Sequence, residues 1–137
     1  YNLVMATVIQ NEARWLPEWL EYHALPAIGF EHFYLYDDYS TDELAETLAP
    51  YIADGLVDLL TIASLGPLPE RVLVDSWRCD AQSATRNLIS RDSNGQCSRT
   101  IQFGQQLAML RHVVLHYGNS SKYMAFIDVD EFILVDG

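Results

Sequence analysis

Strand-like and helix-like segments alternate through the first 62 residues, and this alternation limits the folds that the chain can adopt. Runs rich in apolar residues occupy 3–9, 32–36 and 56–62 and are typical of buried strands. Between them, apolar residues recur at helical spacing over 15–23 and 40–55. This order is typical of crossover connections in a parallel sheet. We therefore predict an α/β fold, with helices flanking a mostly parallel, Rossmann-like sheet.

Regular patterning fades in the middle of the chain and returns near its end. Gly, Pro, Ser, Asp and Asn accumulate over 63–100, which predicts loops with a short helix near 83–89. Helical spacing over 103–114 predicts a further helix, and the apolar run at 123–127 predicts a further strand. Since no repeat or linker-like tract divides the sequence, we expect one domain over residues 1–137.

Individual residues predict where helices begin and which faces they bury. Ser40 opens an S-x-x-E capping box with Glu43, so we predict that the second helix begins there. Trp15 and Trp19 fall on the apolar stripe of the first helix and are predicted to belong to the core. The four histidines have no metal-ligand spacing with the acidic residues and are predicted to be core or surface residues.

The two cysteines leave two interpretations open. Cys79 and Cys97 lie in the least regular part of the chain, without a C-x-x-C pairing. They form either a disulfide in a secretory compartment or two buried thiols. Their spacing favours neither.

The chain is strongly acidic, with a formal net charge of −11. Nucleic-acid binding needs clustered Lys and Arg, so this charge argues against it. An anionic ligand would need a cation to bridge it to the protein. No apolar run reaches the ~18–20 residues that span a bilayer, so we expect no membrane contact from this segment. Because the chain lacks a starting Met and opens on a strand pattern, we expect it to be an excerpt of something longer.

Polar residues follow the ends of three predicted strands. In a parallel sheet, ligands bind in the crevice beyond the carboxyl ends of the strands. The residues at these ends are Asn11 and Glu12 after the first strand, Asp37 and Asp38 after the second, and Asp128, Asp130 and Glu131 after the last. We therefore expect them to come together at one ligand site.

Asp128 and Asp130 form a D-x-D pair within the segment YMAFIDVDEFILV. In an extended backbone, residues two apart point to the same side, and carboxylate oxygens suit Mg²⁺ or Mn²⁺. Such a pair is common on solvated loops, but here apolar residues flank it on both sides. Burying unpaired carboxylates is costly unless a cation or hydrogen bonds compensate. We therefore predict that the two aspartates hold a divalent cation against a diphosphate.

The strand-to-helix turns allow competing interpretations. Asp37 and Asp38 lie where a helix amino terminus and a carboxylate can hydrogen-bond a base or a ribose. Either Asp38 or Ser40 could cap the helix; Ser40 is the better cap and leaves Asp37 as the better ligand candidate. Asn11 and Glu12 are ambiguous on spacing alone, since Asn at such a turn is most often a cap.

Three sequence blocks resemble those of the GT-A-fold glycosyltransferases, and more narrowly glycosyltransferase family 92 and related family 2-like enzymes. The first, NEARWLPEWLEYHALPAIGFEHFYLYDD, is similar to the family opening NE-x-x-x-L-x-EW-x-x-YH; the others are DDYSTDE and KYMAFIDVDEFILV. Together they cover both ends of the chain in the family's order. The resemblance implies the Rossmann-like, nucleotide-binding half of a GT-A fold.

The resemblance also implies roles for the residues at the strand ends. The nucleotide would be bound by Asn11, Glu12, Asp37, Asp38 and Asp128, and the metal, Mn²⁺ or Mg²⁺, by Asp128 and Asp130. The implied reaction transfers a hexosyl group, galactose in many relatives, from a UDP-sugar to a glycan or glycoconjugate acceptor. The implied location is the Golgi or another membrane-anchored lumenal site in a eukaryote, and the cytoplasm in a bacterium.

In such enzymes the acceptor site and the catalytic base come from the chain after the D-x-D strand, so we assign no catalytic residue. We expect this chain to be the N-terminal excerpt of a longer catalytic domain. The main alternative is a nucleotide-sugar-binding fragment or inactive homologue that transfers nothing. A phosphorelay receiver fits less well, since its acidic pair follows the first strand. A haloacid-dehalogenase phosphatase would not have Glu131 and Phe132 after its D-x-D motif.

Overall fold

A computed structural model of the chain describes residues 1–65, 72–73, 89–91, 97–99 and 104–136. Its strands, in chain order, are β1 Leu3–Ile9, β2 His32–Asp37, β3 Val57–Thr61, β4 Val72–Leu73, β5 Ile89–Arg91, β6 Cys97–Arg99 and β7 Tyr123–Ala125. Its helices are α1 Leu16–His23, α2 Leu44–Ala53 and α3 Gly104–Tyr117, with 3₁₀ helices at Ile62–Leu65 and Gly118–Ser120. Within these ranges, no helix is both long enough and apolar enough to cross a membrane.

Four of the strands form one parallel sheet in the order β3-β2-β1-β7. The register places Ile9 of β1 opposite Asp37 of β2, and Leu3 of β1 opposite Tyr123 of β7. α1 connects β1 to β2, and α2 connects β2 to β3. The predicted α/β fold is therefore confirmed.

Helices cover both faces of this sheet. Met5 of β1 packs in one core cluster with Trp19 of α1 and Leu48 of α2. The preceding residue, Val4, packs in a second cluster with Val113 of α3. Since successive residues of a strand point to opposite faces, α1 and α2 cover one face and α3 covers the other. Burial on both faces explains why β1 is an almost continuous apolar run.

Several predicted boundaries are wrong. α2 begins at Leu44, and Glu43, at its amino-terminal cap position, makes no side-chain capping bond. β7 ends at Ala125, two residues before the predicted end of that strand. Within the predicted loop region 63–100, β4, β6 and β5 form an antiparallel sheet in that order. Strands of two or three residues are too short to show a clear periodic pattern.

Two predictions fall mainly on residues that the structure does not describe. The short helix expected near 83–89 lies outside the described residues except at Ile89, which begins β5. Cys79 also lies outside them, so the state of the two cysteines stays a prediction.

The strand order reverses beside β1. From β1 the chain continues to β2 and then β3 on one side, whereas β7 lies on the other side. In open α/β sheets, the crevice at such a reversal, beyond the carboxyl ends of the strands, is where ligands bind. Glu12 follows β1 and Asp128 follows β7, so the fold places the two segments on either side of this crevice.

Candidate functional site

The loop after β1, residues 10–15 and called the β1 loop below, is tied to the loop that follows β2. Asn11 has a φ of 53°, in the left-handed region that Asn adopts more readily than most residues. Its Oδ1 accepts hydrogen bonds from Thr41 N at 2.7 Å and Thr41 Oγ1 at 3.3 Å, and its N–H donates to Ser40 Oγ at 2.9 Å. Asn11 therefore joins two loops and does not cap α1, the role that Asn most often has at such a turn.

The loop after β2, residues 38–43 and called the β2 loop, holds itself and its neighbour in place. Asp37 Oδ1 accepts a hydrogen bond from Ser40 N at 2.9 Å, and Asp42 Oδ2 accepts one from Ala13 N at 2.9 Å. The Ser40 hydroxyl therefore accepts a hydrogen bond from the β1 loop, and the Ser40 N–H donates one to Asp37. The prediction that Ser40 caps α2 and leaves Asp37 free is wrong, because helix formation starts only at Leu44.

Asp128 and Asp130 lie on a tight turn, residues 128–131, called the D-x-D turn below. Glu131 N donates to Asp128 O at 3.0 Å, as in a β-turn, and Asp128 N donates to Glu131 Oε2 at 2.9 Å. Both aspartates are exposed, whereas Val129 between them is 3% exposed and belongs to the core that α1 covers. The predictions of an extended backbone and of buried carboxylates are therefore wrong. Val129 fills the core position and leaves its neighbours in solvent.

The D-x-D turn and the β1 loop bring carboxylates together. Burial raises the pKa of Glu12, and the charges of Asp130, Asp128 and Asp42 raise it further. Partial burial of its carboxyl group also raises the pKa of Asp128, with further contributions from Glu131 and then Asp130. Neighbouring like charges raise a carboxyl pKa only at short range, so these groups form one acidic region. A cation placed there would convert their repulsion into attraction.

A cavity of about 520 Å³ opens beside these carboxylates. It is lined by residues of the β1 loop, α1 and the chain around the D-x-D turn: Gln10, Asn11, Glu12, Trp15, Glu18, Val129, Asp130 and Phe132. Trp15 is 53% exposed, so the prediction that it belongs to the core is wrong, whereas Trp19 is fully buried as predicted. Trp15 precedes the first residue of α1, and its ring therefore lies at the cavity end of that helix.

A comparison with protein families covers nearly the whole chain. Residues 3–137 match the model of glycosyltransferase family 92. The chain belongs to glycosyltransferase family 92. A rice protein, from Oryza sativa subsp. japonica, that is named a glycosyltransferase family 92 protein is 35% identical over 137 residues, which are all of this chain and 17% of that relative's length. No solved structure matches the chain significantly.

The sequence resemblance to family 92 is thus confirmed, and the structure shows how the predicted site residues are distributed. Asn11, Glu12 and Asp130 line the cavity. Asp128 adjoins this group, since its charge acts on Glu12, and it also lines a smaller cavity of about 90 Å³ on the α3 side of the sheet. These four residues form one region of the family 92 chain.

Asp37 and Asp38 follow β2, one strand further along, and the cavity lining does not include them. Asp37 is connected to the cavity through Ser40, which accepts the Asn11 N–H. Asp38 is connected through its carbonyl oxygen, which accepts a hydrogen bond from Gln10 Nε2 at 2.9 Å. Whether these aspartates contact a nucleotide stays a prediction.

Sequence reasoning missed five cavity residues: Gln10, Trp15, Glu18, Val129 and Phe132. Trp15 and Glu18 are three residues apart, a spacing that places side chains on the same side of a helix, and this signal was present in the sequence. Phe132 belongs to the apolar flank of the D-x-D pair in the sequence, but the structure leaves it 42% exposed. Its contribution to the cavity depends on the D-x-D turn, which the sequence did not indicate.

The donor atoms of the acidic region fit a divalent cation that also binds a phosphate ligand. Among the described residues, no group of three or more His, Cys, Asp or Glu side chains is arranged to hold a metal ion by itself. Mg²⁺ and similar ions are commonly bound by one or two carboxylates, with waters and substrate phosphates completing the shell. The exposed carboxylates of Asp128 and Asp130 match that type of site.

Proposed function

We propose that this chain binds the sugar-nucleotide donor in a metal-dependent glycosyl transfer, with a UDP-hexose as donor and a glycan or glycoconjugate hydroxyl as acceptor. The observation that carries the proposal is the approach of Glu12, Asp128 and Asp130 at the strand-order reversal, beside a cavity of about 520 Å³. Membership of family 92 supports the same class of reaction.

The charge of the site explains why the donor would need a metal. The chain carries a formal net charge of −11, and the pKa of Glu12 is raised first by burial and then by the neighbouring charges of Asp130, Asp128 and Asp42. A diphosphate alone would be repelled. Asp128 and Asp130 would hold Mn²⁺ or Mg²⁺, and the diphosphate would complete the ligand shell. The bound cation would also supply Lewis-acid stabilisation of the departing nucleoside diphosphate.

The protein organises the D-x-D turn before any ligand arrives. Val129 is anchored in the core, and the turn is closed by two hydrogen bonds between Asp128 and Glu131. Ligand groups held in place by packing and hydrogen bonds lose little entropy on binding. The Asp130 carboxylate makes no hydrogen bond within the described residues, so it would be free to bind the cation.

The nucleoside would lie across the joined β1 and β2 loops. Asn11, Asp37 and Asp38 belong to this edge, at the carboxyl ends of two neighbouring parallel strands. Ligands of open α/β sheets bind there. The hydrogen bonds that join Asn11 to Thr41 and Ser40 would keep the two loops at a constant spacing for a base and a ribose.

The hexose would lie in the cavity. Its volume of about 520 Å³ lies within the range of ~300–1,000 Å³ that is typical of small-molecule pockets. Trp15 and Phe132 provide apolar ring surface, and Glu12 and Glu18 provide acceptors for sugar hydroxyls. An apolar wall and a polar wall suit a pyranose ring, which has both apolar faces and polar edges.

Titration calorimetry of the protein with UDP, with and without Mn²⁺, tests this proposal. We expect binding that requires Mn²⁺ and weakens by more than about tenfold in Asp130→Asn, because one ligand charge is lost. The matched control is Asp54→Asn, which removes a carboxylate from an exposed position at the end of α2. Equal, metal-independent binding by the unaltered protein and Asp130→Asn would refute the proposal.

Transfer is distinguished from binding alone by a second measurement. Incubation of the full-length protein with UDP-galactose, Mn²⁺ and glycan acceptors should release UDP, which a coupled assay detects. A protein that binds UDP-galactose with Mn²⁺ but releases no UDP with any acceptor would be a nucleotide-sugar-binding module, the alternative that the sequence left open.

A further inference from the structure

The chain that ends and follows the D-x-D turn has irregular backbone, yet three of its polar backbone groups are paired with side chains. The paired groups are the carbonyl of Glu131 and both the N–H and the carbonyl of Ile133. Trp19 Nε1 donates to Glu131 O at 3.0 Å, and Tyr22 Oη donates to Ile133 O at 2.9 Å. Ile133 N donates to His23 Nε2 at 3.3 Å. Side chains of α1 thus replace the partners that a neighbouring strand would provide.

The three side chains lie on one side of α1. Positions three and four apart are neighbours on a helix surface, and Trp19, Tyr22 and His23 have this spacing. Trp19 and His23 are fully buried. His23 Nδ1 lies 2.8 Å from Trp19 O. Because a carbonyl oxygen can only accept a hydrogen bond, Nδ1 carries the hydrogen. Nε2 is then the acceptor for Ile133 N. The ring is held in one tautomer and one orientation.

The same side chains also hold the cavity wall. The Phe132 ring is stacked on His23 at a centroid distance of 5.6 Å and meets Tyr22 edge-on at 5.0 Å. Phe132 and Asp130 both line the cavity. Asp130 directly precedes Glu131, whose carbonyl is bonded to Trp19. The position of both cavity residues therefore depends on the contacts with α1.

We propose that Trp19, Tyr22 and His23, which we call the α1 clamp, are positioning residues that set Asp130 and Phe132 relative to Glu12 on the β1 loop. The functional part of this inference rests on the proposed donor site. α1 begins directly after the β1 loop, so the clamp joins the two halves of the site through one short helix. It explains why the W-x-x-Y-H spacing accompanies the D-x-D pair in this chain.

Tyr22→Phe is the most specific test, because it removes one donor to Ile133 O and keeps the ring against Phe132. Measured on the full-length protein, UDP affinity in the presence of Mn²⁺ should fall about threefold to tenfold, the effect expected from losing one hydrogen bond. Tyr51→Phe is the matched control. The Tyr51 hydroxyl donates to Glu21 Oε1, on the helix that carries Tyr22, at 2.8 Å, but it makes no hydrogen bond with residues 131–133. Equal UDP affinity in both variants would overturn the proposal.

A double-mutant cycle separates positioning from general stability. If Tyr22 acts through Asp130, Tyr22→Phe should lower UDP affinity in the unaltered background but have little further effect in the Asp130→Asn background. The effects of two changes that act through one contact are not additive. Additive losses would contradict a role through Asp130.

Amide hydrogen exchange distinguishes failure of the clamp from failure of the proposed function. In the ligand-free protein, Tyr22→Phe should speed exchange at Ile133 by at least about threefold, and Tyr51→Phe should leave it unchanged. If the unaltered protein does not bind UDP, the donor-site proposal fails, and this exchange result alone decides whether the clamp holds the segment. Unchanged exchange in Tyr22→Phe would show that it does not.

Discussion

The two halves of the candidate site are held in place by different means. The β1 loop is held partly by its own polar side chain: Asn11 Oδ1 accepts a hydrogen bond from Thr41 N, while the N–H groups of Asn11 and Ala13 donate to side chains of the β2 loop. The segment 131–133 contributes backbone groups, and the side chains that bond them belong to α1. A loop of the first kind can be found from its residue types, whereas a segment of the second kind is found only when its partner helix is known.

The largest loss of stability is expected from Trp19→Ala, in the half of the site that contains segment 131–133. This change removes a fully buried indole and its donor to Glu131 O. It should lower the free energy of unfolding by about 3–5 kcal/mol, measured by urea denaturation. Trp15→Ala, at a position 53% exposed, is the control and should cost less than about 1 kcal/mol. Equal losses would contradict the assignment of Trp19, and not Trp15, to the core.

A smaller effect is expected on the side of the β1 loop, from Asn11→Ala. The change removes the acceptor for Thr41 N and places alanine at a φ of 53°. Together these should cost about 1–3 kcal/mol in the free energy of unfolding. Asn11→Gly loses the same hydrogen bonds but adopts this φ without strain, so it should cost less. If Asn11→Gly costs as much as Asn11→Ala, backbone strain does not contribute.

Ser40→Ala should lower stability less than Asn11→Ala, and it tests whether Ser40 joins the two loops or caps α2. It removes the acceptor for Asn11 N and should cost about 0.5–1.5 kcal/mol in the free energy of unfolding. Because Ser40 and Asn11 act together, Ser40→Ala combined with Asn11→Ala should cost less than the sum of the two changes. Additive costs, with loss of helix content by circular dichroism, would instead support the capping role that the structure does not show.

The smallest effect is expected from pH, through His23. Burial lowers the pKa of His23 below its ordinary value of 6.5, partly offset by the hydrogen bond to Trp19 O. Below pH 6.5 the unfolded chain therefore binds more protons than the folded one. This contribution to stability is complete above 6.5 and is lost as pH falls through the lowered pKa.

Two measurements check this pH dependence. The free energy of unfolding should fall between pH 7.5 and pH 5.5, about one unit on either side of the ordinary histidine value. Burial and His116 also lower the pKa of His112, so the contribution of His23 must be resolved separately by an NMR titration of its ring protons. A pKa at or above 6.5 would contradict the neutral, hydrogen-bonded state of His23.

Much of the fold could be predicted from local pattern. β1 occupies the predicted residues, and the strand and helix order through β3 is as expected, because both faces of the sheet are buried and apolar runs follow directly from that burial. The start of α2 could not be predicted: Ser40 fits a capping box locally, but its hydroxyl is used by Asn11, 29 residues away. The polar side chain formed its hydrogen bond with a neighbouring loop instead of the helix.

The sequence predicted that several polar residues come together, but it did not predict the geometry around them. Asn11, Glu12 and Asp130 were expected at one site and all line the cavity. The D-x-D pair was expected in an extended, buried segment, whereas the structure has a turn with exposed carboxylates. Within the apolar flank, Val129 is buried, and Ile127 and Ile133 are partly buried against the same core. Trp15 was placed in the core because helical periodicity does not show where a helix begins.

The sequence by itself determined the α/β class and the membership of family 92, and it showed that acidic residues follow the ends of the strands. These features depend on residue type and on spacings of a few positions. Only the tertiary structure brought Trp19 to Glu131, a hydrogen bond between residues 112 positions apart. A backbone carbonyl is the same at every position of a chain, so no residue pattern shows which side chain will bond it.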